Sequence, residues 1–436
     1  MGRSPLIIFE KLDRNSGGTI VENLVSEEII EETYSKIKDK ISKTSLIKAD
    51  KLSSFSGNNI FLKLENLQKT GSFKIRGALN KILNLSKEQQ AKGLIAASAG
   101  NHAQGVALAA SSLNLVSKIV MPVTAPLAKI AATKEFGGAK CTVKLCGNMF
   151  DDAMSEALRL EKEEGLTLVH PYDDNFVIAG QGTIGLEIYE QMNAMGKEID
   201  YCLVPIGGGG LLSGISIYLK IKNPNIKFIG IEAQNVDSYN QALKQGKPFK
   251  IQGKSSIADG IAVKQTGELT FNILKKNVDK VITVSEEEIA QAMLFLLEKC
   301  KIVTEGSGAV SVAAILSGKL DKIIGKDKNV ICVISGGNVD ITTLGTIINS
   351  ALISSHRRVP FSVNGKINNS TITEIINIIT KNGASIYKIH STFDRNKLDI
   401  SNFSIFIVMD TSDEFQKNKI FAEIRASSSN FTLLAK

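Results

Sequence analysis

At 436 residues the chain is too long for one ordinary domain, and its 43% hydrophobic and 22% charged residues are the proportions of a globular protein. No run of about 18 uncharged apolar residues marks a membrane span, and the net charge of +8 is spread along the chain without a basic, aromatic-interleaved stretch, which argues against a nucleic-acid partner. Cys141, Cys146, Cys202, Cys300 and Cys332 fit neither a disulfide framework nor a zinc pattern, and the opening MGRSPLIIFEKLDRN has no apolar segment with a cleavage site, so reduced thiols and a cytoplasmic setting are expected.

In chain order, the first helix with a clear face begins at Lys74, where Ile75, Ala78, Leu79, Ile82 and Leu83 recur at helical spacing. From about residue 90 to 235 short apolar runs alternate with helix-period segments, the pattern of parallel strands joined by crossover helices. Strands are predicted at Gly93–Ser98, Lys118–Met121, Tyr201–Ile206, Lys227–Ile231 and Val330–Ser335. Open α/β sheets bind ligands outside the carboxyl ends of their strands. Three segments stand there: Ser98-Ala99-Gly100-Asn101, Gly207-Gly208-Gly209-Gly210 and Ser335-Gly336-Gly337-Asn338. They converge on one site if the sheet is continuous. After about Ser355 the pattern changes to strand Val359–Val363, helix Thr371–Asn382, strand Ala384–Ile389, strand Ser404–Met409, helix Asp413–Arg425 and strand Asn430–Leu434. That order, βαββαβ, is ferredoxin-like, with Asn369-Ser370 as a helix start and Asn382-Gly383 as a stop.

The glycine tetrad ahead of the apolar stretch Leu211–Leu219 puts unhindered backbone N–H groups at a helix N-terminus, a phosphate cradle by geometry. A plain strand-to-helix turn is the blander reading, yet four glycines cost backbone entropy and are expected to bring no packing return. No G-x-x-x-x-G-K-[ST] occurs, and Leu212 stands where a dinucleotide fingerprint needs its third glycine, which excludes a nucleotide-binding dehydrogenase. Lys74 at a helix N-terminus faces the positive end of the dipole, which lowers its amine pKa as a Schiff-base lysine requires. A solvated surface lysine would be the ordinary reading; the residues around it overturn that.

Leu64-Glu65-Asn66-Leu67-Gln68-Lys69-Thr70-Gly71-Ser72-Phe73-Lys74-Ile75-Arg76-Gly77-Ala78, Ser98-Ala99-Gly100-Asn101-His102-Ala103-Gln104-Gly105, the tetrad, Ala258-Asp259-Gly260-Ile261-Ala262-Val263 and Ser335-Gly336-Gly337-Asn338 occur in the order seen in threonine dehydratases. Over about residues 30–350 the chain resembles these threonine ammonia-lyases, pyridoxal-phosphate enzymes of fold type II. The resemblance implies that Lys74 is the Schiff-base lysine and general base. It implies that Gly207, Gly208, Gly209, Gly210 and Leu211 hold the cofactor phosphate. Asn101 would bond the ring 3′-oxygen and Ser335 would face the ring nitrogen, while Ser98, Ala99, Gly100 and Asn101 would receive the substrate carboxylate. A neutral hydroxyl at the ring nitrogen favours β-elimination over transamination. The implied reaction is L-threonine to 2-oxobutanoate and ammonia, with L-serine to pyruvate, in a homodimer or homotetramer. Domains of 1–355, with a smaller subdomain at about 70–175, and 356–436 follow from the same likeness.

Other positions carry narrower expectations. His102, in a first helical turn, is expected to pack or cap, and Glu305 to play a structural part near the cofactor. Glu232 resembles a divalent-metal ligand of the related serine racemases, but Val236 and Ser238 stand at the companion positions. The lost carboxylate leaves Asp237 to compensate, or a monovalent cation in place of a divalent one. The tail resembles an ACT domain, which implies an amino-acid effector, although Asn364-Gly365-Lys366-Ile367-Asn368-Asn369 replaces the usual Asp-x-Pro-Gly, and Thr44-Ser45 replaces a Thr-Pro in the core. The competing readings are serine racemase, in which a second serine would stand at Ala99, and a regulatory amino-acid-binding protein with an inactive core. O-acetylserine sulfhydrylase is disfavoured because its Gly-Gly-Ser-Val-Lys and Thr-Ser-Gly-Asn-Thr motifs are absent.

Overall fold

The computed structural model describes residues 25–365, 369–392, 403–427 and 431–435, so the opening segment and Lys366, Ile367 and Asn368 of the loop singled out above lie outside the described residues. The contacts divide the chain into two compact units, Met1–Ala292 with Leu296–Asn338, and Val339–Lys436 with Met293–Phe295.

The first unit contains β1 (Leu46–Lys48), β2 (Asn59–Leu64), β3 (Leu94–Ala97), β4 (Ser117–Met121), β5 (Cys141–Leu145), β6 (Thr167–Leu168), β7 (Tyr201–Pro205), β8 (Lys227–Ala233), β9 (Lys280–Val284) and β10 (Asn329–Ile334). They form two sheets, β1-β2-β10-β7-β8-β9 and β5-β4-β3-β6, parallel throughout except for β1 against β2. The three strand-end segments are thus divided between the sheets: the Ser98 loop follows β3 of the smaller sheet, and the tetrad and Ser335 follow β7 and β10 of the larger. Central β10 is buried along Val330–Ile334, which is why it reads as an unbroken apolar run rather than an alternation.

Helix Lys74–Leu83 packs against helices Asn101–Ser112 and Asn175–Ala194, and the latter against Gly210–Lys222. These helices approach so closely that a Cβ at Gly214 would lie 2.4 Å from the Ile178 carbonyl oxygen, and one at Gly180 would lie 2.6 Å from that of Arg76. Beneath Lys74 lies a fully buried ionic cluster. The Arg76 guanidinium donates to both oxygens of Glu65, 2.8 Å each, and to both of Glu187 at 2.8 and 2.9 Å. Lys63 Nζ donates to Glu187 at 2.6 Å, to the Thr44 carbonyl at 2.7 Å and to Gln191 at 3.0 Å. Thr44, from the Thr44-Ser45 departure, donates its hydroxyl to Glu65 at 2.5 Å. Two cations and two anions balance, and the hydrogen bonds offset the desolvation that burying them costs.

The second unit holds β11 (Arg358–Gly365), β12 (Ser385–Thr392), β13 (Phe403–Asp410) and β14 (Phe431–Ala435), in one antiparallel sheet ordered β12-β13-β11-β14. Helices Asn369–Lys381 and Glu414–Ser427 complete the βαββαβ order. Val359, Phe361, Ile375, Ile379, Ile407, Met409, Ile420 and Ile424 form its own core, with Phe361 and Phe421 edge to face at 5.2 Å. Helix Ile341–Ser354 falls on this side of the division, which comes before Ser355.

Candidate active site

Strand ends of both sheets open into one cavity of about 860 Å³, lined by Lys74, Ser98–His102, Gly207–Leu211, Glu305 and Ser335. All the residues singled out at the three strand ends therefore meet there, apart from Gly336–Asn338, which are not in its lining. The lysine's own segment is stitched to the end of β10: Phe73 N donates to the Ser335 carbonyl at 3.2 Å and Gly337 N to the Gly71 carbonyl at 2.8 Å. Gly71 has φ +67°, and a Cβ there would fall 2.2 Å from Asn338 Oδ1, so no other residue permits the approach.

Lys74 Nζ donates to the Pro171 carbonyl at 3.0 Å. Burial pushes its amine down to about 8, against the opposing pull of the Glu305 carboxylate. Desolvation thus does what the sequence assigned to the helix dipole. His102 is buried, its Nε2 bonded to the Val169 carbonyl at 2.8 Å; burial and the Lys74 charge push it down to about 3. It is a neutral packing residue with its N–H spent.

The glycine loop leads from β7 into helix Gly210–Lys222, whose N-cap Gly209 (φ +94°) supplies no side-chain cap. The N–H groups of that first turn have no intrahelical acceptor, and Gly208 to Leu211 are buried. Buried donors at a helix N-terminus fit an anion such as a phosphate. The expectation that the glycines bring no packing return is overturned, because neighbouring residues close in on all four. A Cβ on Gly207 would lie 2.9 Å from Ile261 Cα, on Gly208 2.2 Å from the Tyr172 ring, on Gly209 2.8 Å from Thr270 and on Gly210 3.0 Å from Tyr172.

Helix Asn101–Ser112 begins with Gly100 as an uncapped N-cap beside Ser98, whose hydroxyl accepts from Gly100 N at 3.2 Å. Ser335 is buried, its hydroxyl donating to the Ser307 carbonyl at 3.3 Å. Asn101 Nδ2 donates to Glu305 Oε1 at 2.7 Å. The contact brings together two residues that the sequence singled out separately, whereas the Pro171 acceptor and the Tyr172 ring packed on the glycine loop come from a segment whose sequence carries no local signal for them.

Glu232 lies away from the cavity, at the end of β8. Its two carboxylate oxygens accept from Tyr239 N and Asn240 N at 2.8 and 2.9 Å, and burial pushes its carboxyl up to about 8 against those hydrogen bonds. Asp237 is turned to the Asn240 and Gln241 side-chain amides. Among the described residues no group of three His, Cys, Asp or Glu side chains is placed to hold a metal ion, and no helix is long and apolar enough to cross a membrane.

The cavity's donors suit pyridoxal phosphate: an amine of lowered pKa, a buried anion cradle and a neutral hydroxyl around one space. Residues 37–336 match the family described as pyridoxal-phosphate dependent enzymes. An L-threonine ammonia-lyase of Thermotoga maritima is 45% identical over 391 residues, 90% of this chain and 95% of that protein. Threonine deaminase isoform 2 of Solanum lycopersicum, in its processed form, superposes with a TM-score of 0.70 at 38% identity, covering 80% of this chain and 94% of that one. Maize serine racemase superposes at 0.69 with 35% identity, covering 76% and 99%. The two sheets and the cavity between their strand ends are thus those of fold type II, and the chain belongs to the pyridoxal-phosphate-dependent enzyme family.

Proposed function

We propose that the chain deaminates L-threonine to 2-oxobutanoate and ammonia, and L-serine to pyruvate. The observation that carries this is the meeting of the Lys74 amine, the glycine cradle and the open helix N-terminus at Ser98–Asn101 in one cavity. Bound pyridoxal phosphate supplies a carbonyl for the substrate amine and a ring that withdraws electrons from its α-carbon. The chain's residues do the rest. Backbone N–H groups at Gly207–Leu211 would hold the phosphate, and those at Ser98–Asn101 would orient the substrate carboxylate. Lys74, with an amine near 8, takes the α-proton as general base. Ser335, whose hydroxyl now donates to the Ser307 carbonyl, would offer the ring nitrogen a hydroxyl too weakly acidic to keep it charged, which would favour loss of the β-hydroxyl.

Likeness to a racemase makes the second face of the α-carbon the deciding point. Ala99, in the cavity wall, has a methyl group that exchanges no proton. L-serine should therefore yield pyruvate with little or no D-serine, and D-serine should be a poor substrate. Chiral chromatography of a reaction started with L-serine is the check; D-serine forming as fast as pyruvate would replace this reading with the racemase one.

The second unit, in this proposal, is an ACT-like regulatory domain on a cytoplasmic homodimer or homotetramer, supported by its βαββαβ order. Its amino-acid effector should move the half-saturating threonine concentration by about fivefold or more, the usual size of allosteric coupling. Keto-acid formation titrated with isoleucine and the other apolar amino acids tests this; a flat response to all would leave the unit an assembly role only.

A further inference from the structure

Glu305 is 4% exposed, lines the cavity, and makes no ion pair with a described residue. Its Oε1 accepts from Asn101 Nδ2 at 2.7 Å and from Ser307 Oγ at 3.0 Å. The other end of the Asn101 amide is held as firmly, since Oδ1 accepts from Asn338 Nδ2 at 2.8 Å. The same Asn338 nitrogen donates to the Thr70 carbonyl at 2.7 Å and lies 3.0 Å from Gln104 Oε1. A backbone carbonyl only accepts, so Thr70 fixes which end of Asn338 is nitrogen. That in turn fixes Asn101 with its oxygen toward Asn338 and its nitrogen toward Glu305. One Asn101 N–H is left over, at a residue lining the cavity.

We propose that Glu305 is a positioning residue: it locks the Asn101 amide so that the remaining N–H is presented to the ring oxygen of the cofactor. This rests on the cofactor reading of the same cavity and goes beyond it, because the structural part expected of Glu305 becomes control of one hydrogen bond. What the position needs is an acceptor rather than a charge. Burial, reinforced by Asp259, pushes the Glu305 carboxyl up to about 7, against the Ser307 and Asn101 hydrogen bonds and the Lys129 charge. Lys74 is the other charged group that feels it.

The test uses the full chain and pyridoxamine 5′-phosphate, which carries the ring oxygen but forms no bond to a lysine. Fluorescence titration gives its affinity, and the ring absorption maximum reports the hydrogen bond. E305Q, which keeps an accepting oxygen, should bind within about twofold of the unaltered protein with the same maximum. E305L should bind about tenfold more weakly, the cost of one lost hydrogen bond, with a displaced maximum. In an N101A background E305L should cost nothing further. E305Q as weak as E305L, E305L without effect, or E305L equally costly in N101A would each overturn the proposal. Failure of the unaltered protein to bind the probe would instead overturn the cofactor reading itself.

Discussion

Lys74→Ala should yield a folded protein without the borohydride-sensitive yellow band and with keto-acid formation down by at least about 10⁴-fold, the upper range for losing a positioned general base. The loss is expected to be this large because the residue serves twice, as the amine that bonds the cofactor and as the group that moves the α-proton. Lys129, Lys250 and Lys264 also line the cavity. Lys129 is held by Asp259 at 2.5 Å and Lys250 by Asp151, so neither is a ready substitute. Absorption before and after borohydride, with a coupled keto-acid assay, gives the answer. A surviving reducible band would move the Schiff base to another lysine and undo the assignment.

The second large effect concerns stability. Arg76→Leu removes one of two cations from a cluster in which every charged group is fully buried. Breaking such a pair from one side costs about 3–5 kcal/mol, because the abandoned charge stays in the interior. Arg76→Lys should recover only part of this, since an ammonium cannot fork to two carboxylates. The pH dependence has a definite sign. Burial raises the Glu65 carboxyl, but Arg76 outweighs it and holds the group below the usual carboxylate range. In the unaltered protein that contribution is present above the unfolded pKa of about 4.3 and is lost as pH falls through the lowered folded value. Without Arg76 burial prevails and the folded pKa lies above the unfolded one, so the deficit grows as pH rises. Thermal melts at pH 5 and pH 8 should show the larger loss at pH 8. Equal losses at both would mean that Glu65 finds another partner.

Much of this arrangement was legible because it is local. The alternation of apolar runs located β3, β4, β7, β8 and β10 to within a residue or two, and the tail pattern located the six elements of the βαββαβ segment, though not helix Ile341–Ser354 that joins them in the second unit. Each signal of that kind depends on neighbours in sequence, a side-chain period or a helix stop such as Asn382-Gly383. Which strands pair is a different matter. Nothing in the run Leu94–Ala97 says that it lies beside β6 rather than beside β7, so the partition into two sheets follows from the family resemblance and not from the strand pattern itself. The charged cluster was equally hidden. Lys63, Glu65, Arg76 and Glu187 look like surface residues until helix Asn175–Ala194 brings Glu187 onto the other three, at a separation of more than a hundred residues for the Arg76–Glu187 pair. Glu305 and Asn101 are further apart still.

The packing around the glycine tetrad changes what that tetrad can testify to. Ile261, Tyr172 and Thr270 between them exclude a side chain from Gly207, Gly208 and Gly209 and crowd one at Gly210, whether or not an anion is ever bound. Selection for folding alone would therefore preserve the run, and a descendant that had abandoned catalysis would keep its glycines as faithfully as a working enzyme. Among homologues of this architecture an intact tetrad marks the scaffold. The residue at position 74, which lines the cavity and is excused from holding the core together, marks the living enzyme.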